Sequence, residues 1–244
     1  MRNHLFFLVI SLFWLGIFPS YAQFYDSGPD PAYIKWKVIK SPHFEVIFPD
    51  FFEKEANRTA NLLEVAYQTV PASLGNQPKK IPVILHCESS ISNAFVAWAP
   101  RRSEFYTIPP QDIYPQDWIQ QLALHEFRHV VQISKLQAEL PKILYYLFGE
   151  QLTGAVLGLY IPLWLLEGDA VLTESTLSNS GRGRLPSFSM PLRALTVEKK
   201  VFSYEKAYFR SFKDLIPDHY ILGYHLTAYG RNNYGISLWG NTIH

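Results

Sequence analysis

Trp118-Ile119-Gln120-Gln121-Leu122-Ala123-Leu124-His125-Glu126-Phe127-Arg128-His129-Val130-Val131-Gln132-Ile133 contains no Gly or Pro and reads as a helix. At 3.6 residues per turn, His125 and His129 project from one face of that helix, one turn apart. Two imidazoles so placed reach a single tetrahedral Zn2+ at about 2.0–2.1 Å, and Glu126 sits just off their axis, where a base belongs. A third ligand separates a site from a coincidence of spacing. Leu163-Trp164-Leu165-Leu166-Glu167-Gly168-Asp169-Ala170 supplies a candidate, because Glu167 is an acid within an apolar stretch. An unpaired carboxylate there is costly to bury and calls for a cation, a hydrogen-bonding partner or a solvent-lined cavity. Glu174 follows two turns later on the same face, placed to orient a ligand imidazole. Asp169 points elsewhere and favours the helix N-terminus.

Outward from this segment the pattern is strands before and helices after. Ile34–Ile39 and Phe44–Phe48 alternate apolar and polar residues around Lys40-Ser41-Pro42-His43, which reads as a β-hairpin. Phe51 to Val70 shifts to helical spacing until Pro71 stops it. Ile81–Cys87 is a compact apolar strand, and Phe95–Ile108 gives one or two more around Pro100-Arg101-Arg102. After Pro115 nearly everything reads as helix. The expectation is an α+β fold with helices packed on one side of a mixed sheet. No repeat or Gly/Ser-rich linker divides it, so residues 23–244 read as one domain.

Composition narrows the chemistry. Of 244 residues, 48% are hydrophobic and 18% charged, which excludes a disordered chain. Lys plus Arg number 22 against 21 Asp plus Glu, with no polybasic run, so nucleic acid is not an expected partner. Cys87 is the single cysteine, which rules out an internal disulfide and a cysteine-based zinc site, leaving His and carboxylates for any metal. Arg2, the apolar run Leu5–Phe18 and the small residues ending at Ala22 read as a signal peptide over residues 1–22, placing the mature chain in the periplasm, at the outer membrane or outside the cell.

His125-Glu126-x-x-His129 followed by Trp164-x-x-Glu167-Gly168-x-Ala170 resembles the gluzincin class of zinc metallopeptidases, in particular the peptidase MA-like bacterial envelope proteins related to the M1 aminopeptidases. The resemblance implies a thermolysin/M1-like catalytic domain with Zn2+ held by His125, His129 and Glu167, and with Glu126 as general base. It also matches Tyr220-x-x-Gly223 to the segment whose tyrosine hydroxyl stabilises the oxyanion, with Tyr224 a near rival and a core role open to either. The implied partner is a peptide or protein substrate, and a C-terminal β-propeller often follows such a domain, so the chain reads as an N-terminal fragment.

Thirty-seven residues separate His129 from Glu167, about twice the M1 spacing, so an insertion is expected. Residues 140–162 read as a helical hairpin turning near Gly149, with an apolar face suited to a membrane surface or an envelope protein. Substrate is expected along an edge strand within Asn93–Tyr106. Arg101, Arg102, Arg182 and Arg184 read as solvated loop residues, and His43, His86, His219 and His225 as structural or surface groups, with His219 and His225 second choices as oxyanion donors. The alternative to hydrolysis is a non-catalytic envelope module with a structural or vestigial metal.

Overall fold

Alternation in the N-terminal segment becomes an antiparallel hairpin. Trp36–Lys40 (β1) pairs with Phe44–Pro49 (β2), Val38 opposite Ile47. The computed structural model describes residues 30–111, 116–198 and 202–242, so the leader expected over residues 1–22 lies outside the described residues. Phe44, Val46 and Phe48 turn to the buried face of the sheet, as period two requires. Glu53–Thr69 (α1) then carries the chain back, so that Ile81–His86 (β3) runs parallel to β2. Ala94–Trp98 (β4) and Arg101–Tyr106 (β5) pair antiparallel, and β5 lies between β3 and β4. The resulting order, β1-β2-β3-β5-β4, leaves β4 at an edge.

Helices follow, giving the expected α+β class: a five-stranded mixed sheet and then a helical part. Trp118–Glu139 (α2) opens on an N-cap, Asp117, whose carboxylate accepts the Gln120 N–H at 3.0 Å. α1 and α2 cover one face of the sheet, with the Phe127 ring edge-on to Phe44 at 5.2 Å. Lys142–Phe148 (α3) and Glu150–Tyr160 (α4) form the expected hairpin about Gly149, whose φ of +65° suits glycine. Its inner side packs on the core through Val156, Leu157 and Ile161, while Ile143, Tyr146, Leu147, Phe148, Leu159 and Tyr160 are exposed. Leu163–Leu177 (α5), Pro186–Val197 (α6), Tyr204–Phe209 (α7), His219–Tyr234 (α8) and Leu238–Thr242 (α9) complete the described chain. None of these helices alone is long and apolar enough to cross a membrane.

α5 and α8 touch backbone to backbone. A Cβ on Gly168 would fall 2.0 Å from the Gly223 carbonyl carbon, and one on Gly223 would fall 2.0 Å from the Trp164 oxygen. Only glycine at both positions permits this approach. The Glu-Gly and Tyr-x-x-Gly segments are therefore a packing pair, and the contact carries Glu167 and Tyr220 into one neighbourhood.

α2 and α5 are joined by charge. Arg128, 1% exposed, donates to Asp169 from Nε at 2.6 Å and from Nη2 at 3.0 Å, and from Nη1 to the Val70 carbonyl at 2.8 Å. Asp169 thus corrects the sequence expectation: instead of favouring a helix end, it is a buried counter-ion, and it accepts Gln132 Nε2 at 2.8 Å as well. Removing one partner leaves an uncompensated buried charge. Arg128→Met should cost about 3–5 kcal/mol in urea denaturation, and adding Asp169→Leu should recover most of it. A single variant losing under about 1 kcal/mol would show that the pair is not the clamp.

His86 closes β3 between Asp30 Oδ2 at 2.6 Å and Glu104 Oε2 at 3.0 Å. Burial disfavours the imidazolium, but the hydrogen bonds to Glu104 and Asp30 outweigh it, and the His86 pKa lies above its ordinary value. A raised folded-state pKa gives stability that is fully present below the unfolded value, about 6.5, and is lost as pH climbs through the folded value. The melting-temperature gap between wild type and His86→Asn should therefore be widest below about pH 6.5 and narrow as the buffer is made alkaline. A gap constant across that range would rule out the charged form of His86.

Candidate metal centre

His125 and His129 stand one turn apart on α2, and Glu167 faces them from the second turn of α5. His125 Nε2 is 3.2 Å from Glu167 Oε2, His129 Nε2 is 3.3 Å from the same oxygen, and the two Nε2 atoms are 3.3 Å apart. Three donor atoms thus form a nearly equilateral triangle. A tetrahedron with bonds of about 2.0–2.1 Å has edges of about 3.3–3.4 Å, so the triangle has the size of one face of a zinc coordination shell. Among the described residues this is the one group of three or more His, Cys, Asp or Glu side chains placed to hold a metal ion.

The ring nitrogens turned away from the triangle are also engaged. His125 Nδ1 lies 3.0 Å from Glu174 Oε2 and 2.7 Å from Arg182 Nη2. Glu174 faces this nitrogen with an acceptor and Arg182 with a donor. With Nδ1 protonated, Glu174 accepts from it while Arg182 donates to Glu174, from Nε at 2.8 Å and Nη2 at 3.0 Å. His129 Nδ1 donates to Gln132 Oε1 at 2.9 Å, and Gln132 Nε2 donates to Asp169 and to the Leu166 carbonyl. With Nδ1 of each ring engaged in this way, Nε2 is the nitrogen that each imidazole turns to the triangle.

The charges fit a cation. Burial opposes the imidazolium of His129, but Glu167 beside it outweighs burial and raises its pKa to about 9. Burial would push Glu167 up; His129 and His125 instead hold it far below the usual carboxylate range. Glu174 is likewise held down, to about 2, because Arg182 and His125 outweigh its burial. Burial raises Glu126, against the pull of His125 and His129, which makes it a stronger base than a solvated carboxylate.

His125, His129, Glu167 and Arg182 line a cavity of about 400 Å3 between α2, the β4 edge and α4. Glu126 and Tyr220 are both in its wall. The Tyr220 ring lies 6.4 Å from that of His125, with the Arg182 guanidinium 5.1 Å from its centroid. Burial, followed by Glu167, raises the Tyr220 pKa beyond its ordinary value and keeps the hydroxyl a donor. Tyr224 packs on Phe188 at 5.8 Å instead, so of the two tyrosines Tyr220 is the one in the cavity wall. His219 and His225 are outside that wall, the latter bonded to Ser189 Oγ at 3.1 Å, and as oxyanion donors they are misplaced.

Arg182 corrects another expectation. It is no solvated loop residue but a half-buried member of the site, held by Glu174. Arg184 donates to the Ser175 carbonyl at 2.7 Å, Arg101 to the Lys80 carbonyl and Arg102 to Glu104, so these arginines also have structural partners. Gln132 was legible in principle, three residues beyond His129 on the same face. Arg182 was not, since only the return of the chain after α5 brings it to His125. In comparisons with protein-family models, curated proteins and solved structures, nothing matches this chain.

Proposed function

We propose that the chain is a zinc-dependent peptidase of gluzincin type with a thermolysin/M1-like catalytic arrangement. One observation carries the reading: the 3.2–3.3 Å triangle of His125, His129 and Glu167 donor atoms opens onto a cavity that also holds a buried carboxylate and a tyrosine. Three protein donors with room for a fourth ligand is the pattern of a catalytic site, whereas a structural zinc has four protein donors. When bound, the ion supplies Lewis-acid polarisation of a scissile carbonyl and acidifies water.

The chain's own residues do the rest. His125, His129 and Glu167 hold the ion, and Glu174 and Gln132 fix the two imidazoles in the ligating tautomer. Glu126 takes a proton from the attacking water and returns it to the leaving amine, a transfer favoured by its raised pKa. The Tyr220 hydroxyl donates to the developing oxyanion. β4, an edge strand, offers unpaired backbone groups to an extended substrate. With the leader over residues 1–22, the reading places this activity in the cell envelope. The exposed apolar side of the α3–α4 hairpin supports a second role there, contact with a membrane surface or an envelope protein.

Purified protein should contain about one zinc per chain, and His125→Ala or Glu167→Ala should abolish binding, read by elemental analysis after dialysis. Full retention by either variant would move the ligands elsewhere. Glu126→Gln should keep the zinc and lose about a hundredfold or more of peptide cleavage; undiminished hydrolysis would reject Glu126 as the base, whereas a zinc-loaded wild type that cleaves no peptide would leave the non-catalytic module as the better account.

A further inference from the structure

Two side chains of the cavity wall each carry a buried oxygen with no hydrogen-bond partner among the described residues. Gln121 lies one turn before His125 on the same face of α2, is 3% exposed and belongs to the cavity wall, and its Oε1 is buried and satisfied by no described residue. Ser92, just before β4, belongs to the same wall and has a buried Oγ that no described residue satisfies. Leaving a buried acceptor unpaired costs stability that an apolar side chain of similar size would not. The contrast along α2 is direct: Gln132, also buried, bonds to His129, Leu166 and Asp169. A group that weakens the fold and faces a cavity is accounted for by what enters the cavity.

The entering group is a neutral one. Among the described residues, the ionisable groups in the wall are His125, Glu126, His129, Glu167, Arg182 and Tyr220. Arg182 is already held by Glu174, so among the described residues of the wall a substrate α-carboxylate meets no uncommitted cation. Glu126 and Glu167 are assigned to proton transfer and to the ion, so among the described residues of the wall a substrate α-amine has no counter-ion of its own. The remaining polar wall, Ser92, Asn93 and Gln121, is uncharged and lies beside the start of β4. Uncharged acceptors and donors beside an edge strand match backbone amides.

We propose that Gln121 is a substrate-positioning residue whose Oε1 accepts a backbone N–H from an internal peptide segment laid along β4, making the chain an endopeptidase. This rests on the peptidase reading above. It predicts opposite signs for stability and binding, which a structural glutamine would not give.

The test uses Gln121→Leu in the full chain. Thermal melting should be unchanged or raised by about 2–4 °C, since an orphaned acceptor is removed. In the Glu126→Gln background, a randomised octapeptide library, fluorescein-labelled, N-acetylated and C-amidated, should bind by fluorescence polarisation. Adding Gln121→Leu should weaken that binding about tenfold, the loss of one hydrogen bond. The same library with free termini should bind no more tightly than the capped one. With Glu126 present, Gln121→Leu should raise KM and leave kcat nearly unchanged. A lowered melting temperature with unaltered binding would make Gln121 structural, and unaltered binding with any melting temperature would overturn the positioning role. A preference for free termini would overturn the internal-segment assignment. Gln121-dependent binding without hydrolysis by wild type would sustain the positioning role and reject the peptidase reading; no peptide binding at all would reject both.

Discussion

A buried guanidinium–carboxylate pair fixes where the site can form. Arg128 and Asp169 lock α2 to α5 across an interface from which water is excluded, and in that setting the pair tolerates little displacement. The ligand candidates are placed relative to it by helix geometry alone. His129 follows Arg128, and Glu167 precedes Asp169 by two residues. Once the clamp closes, the two helices have one register, and the donor triangle is its consequence. Gly168 and Gly223 extend the constraint to α8, since their contact is too close for any side chain and brings Tyr220 to the same cavity.

The arrangement concentrates cost in one layer. His125, Glu126, Arg128, Asp169 and Glu174 are all at most 5% exposed, and such groups are tolerated inside only when charges and hydrogen bonds are matched. All but Glu126 are matched, in two sets: Glu174 with Arg182 behind His125, and Asp169 with Arg128 and Gln132 behind His129. Each imidazole thus has its own support. The compensating apolar burial lies on the other side of α2, where Phe127, Val130 and Val131 meet α1 and the sheet.

Sequence patterns made much of this legible and missed the rest for identifiable reasons. Alternation marks β1 and β2, and period 3.6 marks α1, which has one face in water and one in the core; α2, buried on nearly all sides, is read from a long run without Gly or Pro. His125, Glu126 and His129 share a helical turn, so their relation is local. Glu167 and Tyr220 were found through short motifs whose glycines turn out to be the contact points of α5 and α8. Asp169 and Arg182 were misread because nothing local distinguishes a buried counter-ion from an exposed charge. Asp169 meets Arg128 across 41 residues of sequence, and Arg182 comes up to His125 across 57, through packing that only the folded chain creates. Gln121 carries no mark in the sequence, since whether a buried acceptor is satisfied is decided by packing that only the folded chain creates.

The hairpin between His129 and Glu167 shows how a long excursion of the chain can leave such a geometry intact. Its ends belong to α2 and α5, which the Arg128–Asp169 clamp holds together independently of what is looped between them. A segment bridging two already fixed helices costs mainly closure entropy, which grows slowly with length. Its own packing then has a separate consequence: Glu150 accepts the Arg101 N–H at 3.2 Å, and Leu157 lines the cavity, so α4 leans on the β4–β5 turn and walls the cleft opposite α8. The segment that a spacing argument treats as a departure is thereby a wall of the site, and the width available to a substrate beside β4 is set by α4 as much as by the helix that carries the histidines.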